Sequence, residues 1–504
     1  MERIFDVLAE AAATPAATGW LAGDREITFA EMDRTSDRFA AGLLRQGIRR
    51  GDRIAVLGPT SPEWLVVYFA AAKIGAAVVG LSVRYRENEL AHMLGDSGAR
   101  LVVTVPSHDG VDFPATLARL GLPDLDAVVT FGDGGDLTFD DLLADPAPTA
   151  GAKAAVTPDD PVMIIYTSGT TGTPKGAVLT HRGQLASARA QAAHIRLTEN
   201  DVLPVAVPLN HVSGITCGVL SALVARTKVV LLPTFDAAQI AGLFATAGLT
   251  LWLGVPTMHT LLLGRPELES VDTSAVRLVV TGGANAEPAL LDRLAARFPN
   301  APVMNLYGLS ETSGAVLMTA WDDDYETTAT TVGHPLPGVE VKIADAEGRE
   351  VPRGETGELL IRTPSVMAGY HGRPADTDAA LGDGWLRTGD MARLTDRGAV
   401  LLRGRAKEMF VQGGFNVYPI EVENVLAAHP QVVLAAGIGV PDPVLGEIGR
   451  YFVVLTPEAT VTVAELTAYC AERIADYKVP KEIVVRDSLP LTPAGKIQKA
   501  GLRA

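Results

Sequence analysis

Apolar residues in the first part of the chain alternate between helical spacing and short continuous runs. After the capping-box pattern Thr28-Phe-Ala-Glu31, apolar residues recur at helical spacing as far as Leu44, and Gly47 ends the predicted helix. Strands that alternate with helices indicate βαβ units and a mainly parallel sheet. The further elements predicted here are helices over 62–74 and 88–94 and buried strands over 54–57, 76–81 and 101–105.

The same alternation returns beyond residue 200, after a stretch of different texture. The stretch 109–157 is rich in Gly, Pro and Asp, and we predict that it forms a surface excursion. The buried strands predicted after it lie over 202–207, 228–232, 250–255, 276–280 and 302–306.

The final third of the chain has shorter apolar runs that are separated by Gly and Pro turns. Runs over 339–343 and 358–361 predict a small β-rich lobe. Beyond it we predict a separate α+β unit, with a helix over 419–426 that begins at a proline and a helix capped by Thr462. The chain as a whole is therefore of the α/β class.

Composition narrows the kinds of protein that this chain can be. A chain of 504 residues is long enough for two or more domains, and 47% hydrophobic with 20% charged residues is typical of a globular protein. A net charge of −16 argues against nucleic acid as the main partner. Cys217 and Cys470 are the only cysteines and fit a reducing compartment.

Neither a secretory signal nor a membrane span is predicted. The first residues lack a basic and then apolar leader pattern. The most apolar long window, 64–83, contains Lys73 and Gly75, and it predicts a core helix, a turn and a buried strand. We therefore expect a cytoplasmic protein.

The most informative stretch is the segment Tyr166-Thr-Ser-Gly-Thr-Thr-Gly-Thr-Pro-Lys-Gly176, which follows an apolar run over 161–165. Glycines let backbone N–H groups converge on a ligand, hydroxyls add donors, and Lys175 supplies a charge suited to phosphate. Most Gly/Ser/Thr-rich segments are flexible linkers, but a linker does not explain the preceding strand and the Pro-Lys-Gly end. Pro174 stands where a Walker A loop has its second glycine, so we predict a different phosphate-binding loop.

A second polar cluster, Asn305-Leu-Tyr-Gly-Leu-Ser-Glu-Thr312, follows a predicted strand. Open α/β sheets bind ligands at the carboxyl ends of their strands. The cluster lacks the second glycine of a nucleophile elbow, which disfavours an α/β-hydrolase. Glu311 is a candidate ligand for Mg²⁺ beside a phosphate loop, with a solvated surface acid as the alternative.

Three further clusters are weak signals when each is taken alone. Asp390 ends the turn-like stretch 384–390, as a ribose-binding acid or an ordinary turn aspartate would. The charged stretch 402–408 crosses into the C-terminal unit, where solvated linkers and hinges both occur. Lys496 follows a glycine in a Pro-rich loop near the end of the chain, where a surface lysine is the usual interpretation.

The order of these clusters resembles that of the adenylate-forming acyl-CoA synthetase superfamily, which also contains luciferases and peptide-synthetase adenylation domains. The resemblance covers essentially the whole chain. It implies a large N-terminal domain over 1–405, a small mobile C-terminal domain over 406–504 and a hinge near Lys407.

The resemblance also implies a role for individual residues. Asn305 would meet the adenine amino group, Tyr307 would stack on the ring, and Asp390 and Arg405 would bind ribose. Ser310, where threonine is more usual, would touch the α-phosphate. The full set implied for ATP and AMP is Thr167, Ser168, Gly169, Thr170, Thr171, Gly172, Lys175, Gly283, Ala284, Asn305, Tyr307, Gly308, Asp390 and Arg405.

The implied reaction has two steps and uses ATP, Mg²⁺ held by Glu311, and coenzyme A. A carboxylate attacks the α-phosphorus to give acyl-AMP and pyrophosphate, with Lys496 bridging the carboxylate and the α-phosphate. The C-terminal domain then rotates, Gly413 and Gly414 approach the pantetheine channel, and a thiol attacks the acyl carbon.

The acyl pocket implied by the resemblance is lined by His211, Val212, Trp252, Gly283 and Gly308. Amino-acid-activating relatives carry an aspartate near the first of these positions, and this chain has Asn210 before His211. The segments that line the pocket contain no arginine, which disfavours a dicarboxylate. The expected substrate is an apolar aliphatic, alicyclic or aromatic monocarboxylic acid. His211 is interpreted as a gate residue, with a packing histidine as the alternative.

Two points have alternative interpretations: the thiol that accepts the acyl group, and the class of protein to which the chain belongs. Ligases that load an acyl carrier protein share these motifs but often contain an extra insertion, and the compact chain favours coenzyme A. A non-catalytic nucleotide sensor would have lost Glu311 or Lys496, and both are present. A luciferase-like oxygenase stays open on the motifs alone.

Overall fold

The largest sheet in the protein has eight strands and forms the centre of the N-terminal region. The computed structural model describes residues 2–147, 149–167, 174–283, 286, 288–413, 415–492 and 496–502. In spatial order the strands of this sheet are Gly369–Tyr370, Lys175–Thr180, Pro161–Thr167, Ala77–Leu81, Arg53–Leu57, Leu101–Thr104, Ala127–Thr130 and Leu137–Thr138. From Pro161–Thr167 onwards every neighbouring pair is parallel.

Helices cover both faces of this sheet, which is why its strands are continuous apolar runs. The helix Pro62–Ile74 is the most buried of them, and only Glu63 escapes full burial. Ser61 Oγ accepts a hydrogen bond from the Trp64 amide at 3.1 Å, and Gly75 ends the helix in a left-handed conformation at φ 74°. The other helices of the first 200 residues are Ile4–Ala12, Phe29–Arg45, Glu87–Ser97, Phe113–Leu120, Thr149–Ala155 and His181–His194.

Two smaller sheets complete the α/β part of the fold. The first has four strands in the order Val202–Val205, Lys228–Leu231, Thr18–Ala22 and Arg25–Thr28. The second has five strands in the order Leu251–Gly254, Leu278–Gly282, Val303–Leu309, Gly314–Met318 and His334–Pro335. The associated helices are Ser221–Ala225, Ala237–Thr246, Pro256–Leu263, Pro266–Glu269, Pro288–Arg297 and Tyr325–Thr330, with a π-helical turn at Ile215–Leu220.

The predicted β-rich lobe is confirmed, and it is an antiparallel four-stranded sheet. Its strands follow one another in the order Glu340–Ala344, Gly357–Arg362, Leu386–Leu394 and Val400–Arg405. A short helix, Pro374–Ala380, lies between the second and third of them. The last strand ends at Arg405, directly before the turn Ala406–Glu408.

The C-terminal unit has a sheet and an apolar core of its own. Its strands are Phe415–Val417, Phe410–Gln412, Gly446–Leu455 and Val432–Asp442 in spatial order, and Glu482–Val485 pairs with Gly446–Leu455. The helices Pro419–Ala427 and Val463–Ala471 cover it. Thr462 and Glu465 form the predicted capping box at the start of the second helix.

Most of the predicted elements are confirmed, but the prediction for 109–157 is wrong. This stretch contains the strand Ala127–Thr130, which is inserted in the central sheet with Val129 and Thr130 fully buried. Its four-residue run is rich in β-branched residues, and the surrounding Gly, Pro and Asp residues obscure it. The prediction that 305–312 follows a strand is also wrong in detail, because the strand Val303–Leu309 includes Asn305 and Tyr307.

None of the helices in the described parts of the chain combines the length and the hydrophobicity needed to cross a membrane.

Candidate active site

Tyr307, Asp390 and Arg405 form a connected group between two sheets. The Tyr307 hydroxyl donates to Asp390 Oδ2 at 2.6 Å, and Arg405 Nε lies 3.0 Å from Asp390 Oδ1. Asp390 and Arg405 are paired positions on neighbouring strands of the β-rich lobe. Burial, followed by the adjacent Asp390 carboxylate, raises the pKa of Tyr307 well above its ordinary value. The hydroxyl contact therefore fixes the plane of a ring that is a candidate for stacking on a base.

Asn305 lies two residues before Tyr307 and points the same way along the strand. Its Nδ2 donates to the backbone oxygens of Thr328 and Thr331, the latter at 3.0 Å. With both amide hydrogens held by backbone, Oδ1 is the atom that can accept from a ligand. An exocyclic amino group such as that of adenine fits an acceptor of this kind.

Gly308 permits the tight turn that follows the strand. A Cβ atom at this position would lie 2.1 Å from the backbone oxygen of Gly314, so no other residue fits. The turn Ser310–Thr312 comes next, with Ser310 almost fully buried. Two predicted site residues, Ser310 and Glu311, are thereby placed at one turn beside Tyr307.

Tyr370 connects Glu311 with Lys175 and was not predicted from the sequence. Its hydroxyl donates to Glu311 Oε1 at 2.9 Å, and Lys175 Nζ lies 5.4 Å from the centre of its ring. Lys175 Nζ also donates to Asp376 Oδ1, so a salt bridge holds the ammonium. Tyr370 and Asp376 carry no local motif and come near Lys175 only through the edge pairing of Gly369–Tyr370 with Lys175–Thr180.

Most of the predicted phosphate loop lies outside the described residues. Thr167 ends one strand and Lys175 begins the next, and the two residues pair directly in the antiparallel ladder. The predicted site residues Ser168, Gly169, Thr170, Thr171 and Gly172, together with Ala284 and Gly414, lie outside the described part of the chain.

Lys496 belongs to the C-terminal unit and lies near the predicted nucleotide-binding residues of the N-terminal region. A Cβ atom on Gly283 would lie 3.4 Å from Lys496 Cε, which is van der Waals contact, and the φ of 77° at this position favours glycine. Burial, and then the positive charge of Arg405, lower the pKa of Lys496, while Asp390 and Glu311 oppose the shift. The lysine is therefore in electrostatic contact with the predicted nucleotide-binding residues.

His211 lies beside Lys496 and is uncharged. Its Nδ1 accepts from the Ser213 amide at 3.2 Å and lies 3.0 Å from Ser213 Oγ, so Nε2 carries the proton in the neutral ring. Burial, together with the positive charge of Lys496, lowers the pKa of His211 to about 3. The next residue, Val212, is buried at the start of a short helix.

Trp252 does not line the cleft as predicted. Its side chain has no accessible surface, and it packs edge-on against His259 with the ring centres 5.5 Å apart. The residue belongs to the apolar core beneath the five-stranded sheet, because alternate residues of a covered strand face into that core. The neighbouring Val255 instead lies against Gly283, where a Cβ would be 3.3 Å from Val255 Cγ1.

The predicted hinge residue Lys407 lies two residues after Arg405 of this cluster, and the predicted coenzyme A residue Gly413 follows six residues later. Lys407 is exposed in the turn Ala406–Glu408, between the last strand of the β-rich lobe and the first strand of the C-terminal sheet. Gly413 has φ 59°, and its amide donates to the Leu445 backbone oxygen at 2.9 Å.

The residues present fit a magnesium ion that is shared with a phosphate. In the described part of the chain no group of three or more His, Cys, Asp or Glu side chains could hold a metal. Mg²⁺ is commonly held by one or two carboxylates together with substrate phosphates. Glu311 meets that requirement, since the Tyr370 hydroxyl orients one of its carboxylate oxygens.

Comparisons with known proteins give matches over nearly the whole chain. A family model described as AMP-binding enzyme matches residues 7–371, and one described as AMP-binding enzyme C-terminal domain matches residues 421–496. The chain is 37% identical over 496 residues to a 3-[(3aS,4S,7aS)-7a-methyl-1,5-dioxo-octahydro-1H-inden-4-yl]propanoyl:CoA ligase of Rhodococcus jostii (strain RHA1), covering 95% of this chain and 94% of that protein.

Two further similarities bear on the reaction. The chain is 34% identical over 495 residues to the fatty acid–[acyl-carrier-protein] ligase ScoC of Streptomyces coeruleorubidus, covering 97% of this chain and 93% of that protein. A solved structure of the anthranilate CoA ligase AuaEII in complex with anthranoyl-AMP superimposes with a TM-score of 0.91 at 27% identity, covering 100% of this chain and 96% of that chain.

Proposed function

The chain belongs to the AMP-binding enzyme family, and on that premise we propose that it is an ATP-dependent carboxylic acid:CoA ligase. The observation that carries the proposal is the position of Lys496. It comes from the C-terminal unit, yet it lies against Gly283 and within the electrostatic influence of Asp390, Arg405 and Glu311.

In the first half-reaction the carboxylate oxygen of the acid forms a bond to the α-phosphorus of ATP. The bond from that phosphorus to the bridging oxygen breaks, and pyrophosphate leaves with the electron pair. Negative charge gathers on the oxygens around the α-phosphorus, and the Lys496 ammonium stabilises it. A unit charge at ~4 Å in an effective dielectric of ~20 contributes about 4 kcal/mol, which corresponds to about 10³-fold in rate.

The nucleotide is oriented by residues that the fold already holds in place. Asn305 Oδ1 accepts from the adenine amino group, Tyr307 stacks on the base, and Asp390 with Arg405 binds the ribose hydroxyls. Support comes from the Tyr307–Asp390 and Arg405–Asp390 contacts of 2.6 and 3.0 Å. Lys175 and the loop before it bind the outer phosphates, and Ser310 contacts the α-phosphate.

A magnesium ion bound to Glu311 and the phosphates would supply positive charge to the leaving pyrophosphate. Tyr370 supports this role, because its hydroxyl donates to Glu311 Oε1 and so fixes the direction of the carboxylate.

In the second half-reaction the thiol sulfur of coenzyme A attacks the acyl carbon, and AMP leaves. We propose that the C-terminal unit rotates about Lys407 for this step and brings Gly413 and Gly414 to the pantetheine channel. His211 is neutral at physiological pH because its pKa is about 3. It therefore acts as a gate between the acyl site and the thiol channel without carrying charge.

The acid is an apolar monocarboxylate, with an alicyclic or aromatic ring or an aliphatic chain. The neutral ring of His211 and the buried Val212 favour an uncharged acyl group. By its name, the Rhodococcus relative acts on a propanoyl acid with a fused alicyclic ring system, and AuaEII acts on anthranilate. The thiols of Cys217 and Cys470 are buried and free, which supports a cytoplasmic enzyme.

A second candidate is transfer of the acyl group to a carrier protein in place of coenzyme A. The similarity to ScoC, a fatty acid–[acyl-carrier-protein] ligase, favours this alternative. The two candidates share the first half-reaction and differ only in the thiol.

A panel of carboxylic acids that is assayed for pyrophosphate release, with and without coenzyme A, tests the proposal. We expect release with at least one of octanoate, cyclohexanecarboxylate and benzoate, and consumption of coenzyme A in equal amount. Absence of release with every acid would overturn the ligase proposal. Release without consumption of coenzyme A, together with acylation of an added holo-carrier protein, would favour the second candidate.

A further inference from the structure

Lys496 is carried by a C-terminal segment whose base is firmly attached to the rest of the unit. Leu491 and Ile497 pair as an antiparallel bridge, the Thr492 amide donates to the Lys496 backbone oxygen at 2.6 Å, and the Gln498 amide donates to the Pro490 oxygen at 2.8 Å. Residues on either side of the bridge, including the buried Leu489, pack against the C-terminal sheet. The position of the Lys496 side chain therefore depends on how this base is held.

Lys499 lies at that base and contacts two carboxylates. Its Nζ is 2.8 Å from Glu408 Oε2 and 2.7 Å from Glu423 Oε1. The Glu423 side chain is only 8% exposed, and the same oxygen accepts from the Gly437 amide at 2.6 Å. Burial alone would lower the pKa of Lys499, but the charges of Glu423 and Glu408 outweigh it and raise that pKa. The ammonium is thus a fixed charge in a partly buried site.

The two carboxylates belong to different elements of the C-terminal unit. Glu423 is in the helix Pro419–Ala427 and ties Lys499 to the core of the C-terminal unit. Glu408 is the last residue of the turn Ala406–Glu408, which directly follows Arg405. The Glu408 contact therefore links the segment that carries Lys496 to the turn that joins the β-rich lobe to the C-terminal unit.

We propose that Lys499 is a positioning residue which, through Glu408, couples the turn Ala406–Glu408 to the placement of Lys496 for adenylation. The inference rests on the proposed ligase function and on the geometry of the Lys499 site. Lys499 touches neither substrate nor the reacting atoms. It acts because a displacement of about 1 Å of a catalytic group is enough to cost about 10²-fold in rate.

The contact also gives the coupling a direction. When the turn is arranged as in this structure, Glu408 holds Lys499 and Lys496 points to Gly283. Glu408 directly follows Lys407, so its contact with Lys499 is the one next to the predicted hinge, whereas the Glu423 contact lies in the core of the C-terminal unit. Loss of the Glu408 contact should impair the step that needs Lys496 and spare the step that does not.

The test compares Lys499→Met, Lys499→Arg, Glu408→Gln and Glu423→Gln in the full-length enzyme. Two half-reactions are measured separately. The first is pyrophosphate release from ATP with octanoate, cyclohexanecarboxylate or benzoate, whichever the unaltered enzyme uses fastest. The second is thioester formation from the corresponding acyl-AMP and coenzyme A. Thermal melting of each variant is recorded alongside.

We expect Lys499→Met to lower kcat for adenylation by about 10²-fold with KM for ATP changed less than about threefold, and to leave thioester formation within about threefold. Glu408→Gln should show the same selective loss at a smaller size, and Lys499→Arg should recover most of the rate. Glu423→Gln should lower the melting temperature and reduce both half-reactions together, since it leaves a buried ammonium short of a partner.

Three outcomes would overturn the positioning role. The first is an equal loss of rate in both half-reactions of Lys499→Met. The second is a ratio of adenylation rate to thioester-formation rate that is unchanged in Glu408→Gln. This second outcome is decisive even if Lys499→Met does not fold. The third is failure of the unaltered enzyme to release pyrophosphate, which would overturn the ligase proposal as well. Normal activity of the unaltered enzyme with unchanged ratios in the variants would remove the positioning role alone.

Discussion

The two lysines of the candidate site have opposite surroundings. Lys175 begins a strand of the central sheet, is almost fully buried, and is held by Asp376 and the ring of Tyr370. Lys496 lies near the end of the chain, and among the described residues its ammonium forms no ion pair or hydrogen bond. A lysine whose charge is already balanced suits a binding role. A lysine with no fixed partner can give its full charge to a transition state.

The pKa of Lys496 reflects these surroundings. Burial and the charge of Arg405 lower the pKa of Lys496, so its protonated form is less stable than that of an ordinary lysine. Negative charge that forms beside Lys496 stabilises its protonated form. The attraction between the two charges therefore increases as the reaction approaches the transition state. The comparison teaches that the lysine in the glycine-rich loop is the easier one to find in a sequence and the less suited to catalysis.

Removal of the Lys496 charge should have the largest effect. In Lys496→Ala we expect adenylation to fall by about 10³-fold, because about 4 kcal/mol of charge stabilisation is lost. Thioester formation from supplied acyl-AMP should be largely spared. Lys481→Ala, which removes an exposed lysine from the same unit, is the matched control. An equal loss in both half-reactions would contradict the assigned role.

Lys175→Ala should have a smaller effect, and on binding more than on turnover. We expect kcat/KM for ATP to fall by about tenfold to a hundredfold, the range of one charge-assisted hydrogen bond, chiefly through KM. Lys228→Ala alters another lysine that begins a buried strand and serves as the control. If Lys175→Ala loses more kcat than Lys496→Ala, the roles assigned to the two lysines are reversed.

The pH dependence of adenylation tests the lowered pKa of Lys496. The folded pKa of Lys496 lies below 10.5, so the rate should begin to fall at a lower pH than for an ordinary lysine, by about tenfold for each pH unit above that pKa. The sign follows from the need for the protonated form. In Lys496→Arg the same alkaline fall should move to higher pH, because a guanidinium stays protonated. If the fall in rate at high pH does not move in Lys496→Arg, a group other than Lys496 causes it.

Asp376→Asn should give the smallest effect and the opposite sign. Without the Asp376 carboxylate, Lys175 no longer has a competing anion, and we expect KM for ATP to fall by about threefold, within the range of a partly exposed ion pair. Asp378→Asn, on the same short helix but exposed, is the control. A rise in KM for ATP would show instead that Asp376 holds Lys175 in its productive position.

Much of the fold could be predicted because it is recorded locally in the sequence. The helix Pro62–Ile74 has a capping serine, a proline in its first turn and a closing glycine, and both of its predicted ends are confirmed. The strand Ala127–Thr130 could not be recognised, since four residues give too short a pattern within a Gly- and Asp-rich stretch.

The site could be predicted only as far as its motifs reach. The motifs around Lys175, Tyr307, Asp390 and Lys496 identify four residues that contacts and electrostatic interactions connect in the structure, but the roles assigned to them stay predictions. Contacts that join distant parts of the chain have no local signal. Asp376 is 201 residues from Lys175, and neither residue indicates the other. Trp252 shows the converse error, because a residue within a pocket-lining segment can still face the core.

The edge strand Gly369–Tyr370 is synthesised long after the strand with which it pairs. It pairs with Lys175–Thr180 and brings Tyr370 and Asp376 to Lys175. At roughly 5–20 residues per second, a ribosome needs about 10–40 s to extend the chain by the 201 residues from Lys175 to Asp376. During that time the strand Lys175–Thr180 is an open edge of the nascent sheet. A ribosome-bound chain that ends before residue 369 should therefore be the form of this protein that most needs a chaperone.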